Sequence, residues 1–337
     1  MVVCVENLNK VYRVPVREGG FLGTIEHLLR PRYREIHALR DISFQIGRGE
    51  LVGYLGPNGA GKSTSLKILT GTLLPTSGTV YVCGLRPHAD RRSYVRRIGA
   101  LFGQRSHLWW DLPVIDSYRM LANIYEVPPA RLEAKLSVLD EGLGISSYLN
   151  RPVRQLSLGE RMRCELAATL LHDPEVLFLD EPTIGLDISA KHGMRTFLKR
   201  VNREMGVTIM LASHDLADVE RLCNRVIVID KGRCIFDGSL AALRERFPGR
   251  RLAKIRFEVP PSPVAVAAGL QPLLEEDGVW EMTSSHDLVI QLPHSCQVGW
   301  LVDTLGRVAR IADLTLEEPR VEDILRTLYE SGVETSC

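Results

Sequence analysis

The spacing of apolar and polar positions divides the chain into elements before any motif is considered. Residues 2–7 and 41–55 read as strands, the second region closing in Glu50-Leu-Val-Gly-Tyr-Leu55, an apolar run followed at once by a glycine-rich loop. From Ser63 the segment SLKILTGTLL has helical spacing, and strand character returns at Gly78–Val82 and Ile98–Phe102. Residues 114–172 keep helical periodicity with no strand-like run, which predicts a helical subdomain inserted into an α/β core. The run Val176-Leu-Phe-Leu179 is short, wholly apolar and ends in two acids, as a parallel strand buried on both faces would. Helix 188–205, strand 207–212, helix 216–222, strand 225–230 and strand 233–237 continue the alternation, with Lys231-Gly232 as a turn and a short helix from Ser239 to near Pro248.

After Arg250 the rhythm changes. Leu252–Phe257 alternates like a half-buried strand, and the order that follows is helix 263–274, strands near 278–283 and 287–292, helix 297–308, a strand near 309–315 and a closing helix 321–330. The expected organisation is therefore an α/β domain over 1–247, with its helical subdomain at about 105–172, and a small α+β domain over 251–337. A length of 337 residues suits such a pair, and 45% hydrophobic content supplies material for two packed cores.

Charge and cysteine usage narrow the function classes. Lys and Arg total 42 against 41 Asp and Glu, so no overall field draws the chain onto nucleic acid, and none is expected as a partner. Seven widely separated cysteines without a C-x-x-C pair are expected to be reduced thiols. No apolar run reaches the roughly 18 to 20 residues that span a bilayer, and MVVCVENLNK lacks the basic-then-apolar order of a signal peptide. The expectation is a protein that meets a membrane only through a partner or surface contact.

The candidate chemistry begins at Gly56-Pro-Asn-Gly-Ala-Gly-Lys-Ser-Thr64, which fits G-x-x-x-x-G-K-[ST] between a strand and a helix. Gly56, Pro57, Asn58, Gly59, Ala60 and Gly61 would turn backbone amides around phosphate oxygens. Lys62 would neutralise them, and Ser63, followed by Thr64, would offer a hydroxyl to Mg²⁺. Asp180 and Glu181 stand at the end of the apolar strand, where α/β sheets place ligands. Asp180 suits a metal ion, directly or through water, and Glu181 an attacking water. That pairing alone fits kinases, GTPases and helicases equally well.

Four further segments decide. Gln104 follows the strand Ile98–Phe102; Leu156-Ser-Leu-Gly-Glu160 opens the helix RMRCELAATLL; Gly185-Leu-Asp187 follows Glu181; and His214 follows the strand 208–212 within Ser-His-Asp. With these in order, roughly the first 240 residues resemble the ATP-binding cassette (ABC) family. The resemblance implies a P-loop NTPase cassette that binds and hydrolyses ATP with Mg²⁺. It implies that Gln104 is the lid glutamine sensing γ-phosphate and Mg²⁺, that His214 is the switch histidine, and that Tyr12 stacks on adenine. Ser157, Gly159 and Glu160 resemble the signature group that clasps the γ-phosphate of a second copy's ATP, with Asp187 crossing the dimer interface. The segment departs from the usual L-S-G-G-Q, because Leu158 replaces the first glycine and Glu160 the glutamine.

Over the whole cassette the resemblance is closest to ATPase subunits of the ABC-2 type, including drug- and viologen-exporter-like systems. That implies an ATP-sandwich dimer on the cytoplasmic face of a membrane, driving export through separate permease subunits. Trp109 and Trp110 fall where the family's cassettes receive the transporter's coupling helix, and packing in the subdomain's own core is the other reading. An insert between Tyr12 and Ala38 carries Phe21, Leu22, Ile25, Leu28 and Leu29 at helical spacing, then Arg30, Arg32 and Arg34. It fits an amphipathic element docking on permease or membrane, or packing on its own domain. The rival function is a soluble ABC ATPase in translation or DNA maintenance. Against it stand the single cassette, the lack of a coiled-coil arm or zinc-cysteine module, and the balanced charge.

Overall fold

A computed structural model describes residues 1–15, 33–103, 106–213, 216–247, 250–274, 279–292, 296–319 and 321–331. Two compact units hold Met1–Leu240 and Ala241–Val333.

The first unit is built on two sheets. β1 (Val3–Pro15) pairs antiparallel with β2 (Tyr33–Ile46) and with β4 (Ser77–Val82), giving a three-stranded sheet in the order β2-β1-β4. The stretch expected as one strand over 41–55 is two. β2 ends at Ile46, a turn with Gly49 at φ 71° intervenes, and β3 (Leu51–Leu55) starts in a different sheet. Part of the expected insert is also strand: Val11–Pro15 pairs with Tyr33–His37, with Tyr12 opposite Ile36 and Val14 opposite Arg34. Phe21, Leu22, Ile25, Leu28 and Leu29, with Arg30 and Arg32, lie outside the described residues.

The second sheet has six strands in the order β5-β6-β7-β3-β8-β9, from β5 (Ile98–Phe102), β6 (Val176–Asp180), β7 (Thr208–Ser213), β8 (Arg225–Asp230) and β9 (Arg233–Ser239). β5, β6, β7, β3 and β8 run parallel, and β9 closes the edge antiparallel to β8. Val176, Leu177, Phe178 and Leu179 are all buried, as a strand covered on both faces requires. α1 (Lys62–Leu69) lies between the sheets, its Leu66, Ile68 and Leu69 sharing one apolar core with Val3, Ile42, Val80, Phe178 and Ile227. α2 (Arg91–Val95) leads into β5, and α3 (Val114–Tyr125), α4 (Pro129–Leu143) and α5 (Leu158–Leu170) occupy the helical region. α6 (Ile188–Met205) and α7 (Leu216–Leu222) flank β7 in sequence.

The second unit begins at Ala241, within α8 (Leu240–Arg246), and runs β10 (Arg251–Phe257), α9 (Pro263–Leu274), β11 (Val279–Met282), β12 (Asp287–Leu292), α10 (Val298–Gly306), β13 (Ile311–Glu317) and α11 (Val321–Ser331). Its antiparallel sheet has the order β11-β12-β10-β13. Alternate residues Ala253, Ile255, Phe257, Leu288, Ile290 and Leu292 pack with Val266, Leu270, Leu301 and Leu305 of the two helices. Among the described cysteines one departs from the expected state: Cys234 is disulfide-bonded, whereas Cys4, Cys83, Cys164 and Cys223 are free thiols.

Gly53, in the middle of β3, lets α7 approach the sheet: a Cβ there would lie 2.5 Å from a Val219 methyl and 3.2 Å from one of Val226. Gly53→Val forces that contact apart and is expected to destabilise the first unit by about 1–3 kcal/mol. Denaturant unfolding should show an earlier midpoint with an unchanged slope.

Candidate nucleotide site

Register across the parallel sheet sets the site. Phe102, Asp180, Ala212 and Tyr54 stand side by side on β5, β6, β7 and β3, and Ser213 pairs with Leu55 one step further on. Four chain segments therefore leave the same edge together. Gln104 and His214, which follow β5 and β7, lie outside the described residues.

The loop after β3 is shaped by backbone that tolerates no side chain. A Cβ on Gly56 would come within 2.4 Å of the Ile229 carbonyl oxygen. Gly61, at φ 111°, precedes α1, and a Cβ there would press on the Leu39 side chain at 2.7 Å and the Ala38 oxygen at 2.8 Å. Main-chain bonds hold the loop's shape: Ala60 N–H donates to Pro57, and Gly232 N–H donates to Ala60 at 3.0 Å. From beneath, the buried Tyr54 hydroxyl donates to Ser65 Oγ at 2.9 Å, and Ser65 donates to the Gly61 carbonyl. α1 has no side-chain cap and no acid in its first turn, so its positive end is left unshielded by its own sequence.

Lys62 opens that helix, buried, with its ammonium donating to the carbonyls of Gly56 at 2.5 Å and Pro57 at 3.1 Å. Burial lowers its pKa, and the charges of Glu181 and Asp180 push the other way. Asp180 is shifted upward, chiefly by burial. The hydrogen bond from Ser63 opposes that shift, Glu181 adds to it, and Lys62 and Lys67 oppose it. Ser63 and Asp180, the two residues expected to hold a metal, are thus in contact. A hydroxyl beside a carboxylate is the hard-oxygen donor set that Mg²⁺ takes.

Glu181 continues the ladder, its N–H donating to Ala212 at 2.9 Å, yet its φ is 55°. A left-handed conformation at a non-glycine residue is sparsely populated and is retained only where surrounding structure enforces it. Tyr12 sits near the base of the β1–β2 ribbon, with the Lys10 ammonium 5.2 Å from its ring centroid.

The signature residues form a second group. Ser157 caps α5 in a reciprocal box: Glu160 N–H donates to Ser157 Oγ at 3.3 Å, and Ser157 N–H donates to Glu160 Oε2 at 2.7 Å. Arg151 holds the other carboxylate oxygen at 3.3 Å. The acid in place of glutamine therefore has a structural account. Leu158 folds over Gly185, where a Cβ would come within 2.4 Å of it, and Gly159 faces Leu186 and Ala190. Asp187 caps α6, accepting from Ala190 N–H at 2.7 Å. The signature turn and the Asp187 segment are thus packed together within one chain.

One residue overlooked in the sequence is Glu165, buried on α5, which accepts from His107 N–H at 2.8 Å and from the Ser106 hydroxyl. It anchors the start of the segment leading to Trp109 and Trp110. The signal was an acid inside the apolar run of α5.

Glu160 also gives the box a pH dependence. Its pKa is lowered, first by the Ser157 N–H and then, against some desolvation, by the Ser157 side chain and Arg151. A depressed folded-state pKa contributes stability that is present above the unfolded value of 4.5 and is lost as pH falls through the folded value. The stability advantage of the native chain over Glu160→Gln should be full at neutral pH and vanish on acidification below that range. Parallel thermal unfolding of both proteins across pH 3 to 7 would read it, these limits spanning roughly the carboxylate range.

Comparison with known proteins follows the same lines. The family model described as "ABC transporter" matches residues 39–184. The ABC transporter ATP-binding protein NatA of Bacillus subtilis is 35% identical over 210 residues, covering 62% of this chain and 85% of that protein. The Nod factor export ATP-binding protein I of Cupriavidus pinatubonensis is 37% identical over 210 residues, and the match spans 62% of this chain and 64% of that protein. Among solved structures, a dimeric ATP-binding cassette in a post-hydrolysis state bound to ADP and Pi superposes with a TM-score of 0.59 at 25% identity, covering 71% of this chain and 98% of that one. The chain belongs to the family of ABC transporter ATP-binding proteins, as an ATPase cassette of the P-loop α/β fold.

Proposed function

We propose that this ATPase completes its active site with a second copy of itself and drives export through separate ABC-2 type permease subunits. The observation that carries the reading is the convergence, at one sheet edge, of the uncapped α1 terminus, the Ser63–Asp180 contact and the left-handed Glu181.

In this reading the amides of 56–64 and the Lys62 ammonium hold the ATP phosphates, and Tyr12 offers its ring to adenine. Ser63, Asp180 and Gln104 are the residues that would hold Mg²⁺, which when bound supplies positive charge to the phosphate oxygens. Glu181 orients and deprotonates the attacking water, and His214 contacts the γ-phosphate side. Lys62 faces the charges of both Glu181 and Asp180, which oppose the lowering of its pKa by burial and keep a cation beside the phosphates.

Two exposed apolar sets support the partners. Ile188, directly after Asp187, is 86% exposed, and Leu158 beside Ser157 is 40% exposed. Large apolar side chains at such exposure favour a covering surface, and a second copy presenting its phosphate loop there places Ser157 and Gly159 against its ATP. Glu160 then serves indirectly, by holding Ser157 in its cap. Trp109, Trp110, Leu112, Met120 and Ile124 are exposed in the helical region, which favours partner contact over internal packing. Among the described residues no helix is long and apolar enough to cross a membrane. Membrane association at the cytoplasmic face is therefore assigned to the permease. The translation or DNA-maintenance alternative draws no support from the relatives, whose names are those of transporters.

The test is Glu181→Gln, which preserves shape and loses the base. It should bind MgATP while stalling hydrolysis, and light scattering should then show an ATP-dependent dimer that Ser157→Arg prevents. A Glu181→Gln protein that saturates with MgATP yet stays monomeric at high concentration would overturn the shared site.

A further inference from the structure

The strained Glu181 needs something to hold it, and the chain supplies a buried polar network that no motif announces. Glu181 opens a pair of linked turns: its carbonyl accepts from Ile184 N–H at 3.2 Å, and the Thr183 carbonyl accepts from Leu186 N–H at 3.2 Å. Thr183 is buried, and its hydroxyl donates to Asp218 Oδ2 on α7. Asp218 is 1% exposed, and its second oxygen, Oδ1, accepts from the Arg195 guanidinium on α6 at 2.6 Å.

Each end of this network leads to a segment of the site. Arg195 sits on the helix that Asp187 caps. Asp218 sits on the helix that begins two residues after position 214, seated against β3 through Val219 and Gly53. Thr183 is two residues beyond Glu181. A single carboxylate thus ties the Glu181 turn to the helices that follow two other predicted contact residues.

Energetics argue for a geometric role. A buried ion pair adds little stability relative to apolar packing of the same volume, while burying its charges is costly unless every oxygen is engaged. Here both oxygens are engaged, and what the bonds fix is position. We propose that Asp218, through Thr183, is a positioning residue that holds the Glu181 backbone in its left-handed conformation and so sets the rate of ATP hydrolysis, with Arg195 fixing the Asp218 carboxylate. This inference rests on the reading of Glu181 as the base.

The test compares Thr183→Val, which is nearly isosteric and removes the hydroxyl, with Thr183→Ser, which keeps it, and with Glu181→Gln, all in the full-length chain. ATP turnover, KM and thermal unfolding are measured for each. Thr183→Val should lower kcat at least about ten-fold, because small misplacements of a catalytic group carry large rate costs, with KM within about two-fold. Thr183→Ser should keep kcat within about two-fold of the native chain. Native turnover in Thr183→Val overturns the proposal, as does an equal loss in the Val and Ser variants that follows lowered thermal stability. Should Glu181→Gln itself hydrolyse ATP normally, the reading of Glu181 fails and this inference with it. A stalled Glu181→Gln beside a fully active Thr183→Val sinks the inference alone.

Discussion

The parallel register of β5, β6, β7 and β3 decides which segments of the first unit meet at the phosphate loop. Because Phe102, Asp180, Ala212 and Tyr54 fall in one row, the segments that follow them emerge within reach of each other. A slip of one residue in β6 would turn Asp180 toward a buried face and send an apolar side chain to the edge. Four consecutive buried apolar residues, Val176 to Leu179, make that slip costly on both faces of the sheet. The same core that stabilises the fold therefore sets the distance between the phosphate loop and the carboxylates.

Charge is arranged on that frame so that each buried ion has a counterpart. Lys62 is held by two loop carbonyls and faces Asp180 and Glu181, while burial presses the lysine toward its neutral form and the aspartate toward its protonated form. The uncapped end of α1 adds partial positive charge from the backbone, at no cost in side-chain ordering. Of the residues at that sheet edge expected to do chemistry, Glu181 has a left-handed backbone, at φ 55°. Asp187 and Ser157, by contrast, sit in relaxed capping geometries that satisfy their own helices.

The parts of the site legible in the sequence were those whose physics is local. The loop 56–64 could be read because glycine at Gly56 and Gly61 answers to close approach and positive φ, and β6 because four consecutive apolar residues ending in acids have few other uses. The second unit's alternation of strand and helix could be read from residues such as Ala253, Ile255 and Phe257, which face one core. What escaped was non-local. Strand 41–55 split because β2 and β3 belong to different sheets, and pairing partners leave no trace in a single run. The ribbon at 11–15 and 33–37 has exposed residues on both strands, so no clean two-residue period marks it. Asp218 and Glu165 could not be singled out because their partners, Thr183 with Arg195 and Ser106 with His107, are distant in sequence.

In the proposed function one chain carries a complete phosphate cradle but only half of a working site. The most direct measurement is ATPase activity per chain as a function of chain concentration, with mass followed in the same samples. A shared site predicts that specific activity rises with concentration over roughly a hundred-fold range and levels off as dimers form with ATP. A specific rate that stays constant across that range while the chain remains monomeric would contradict it.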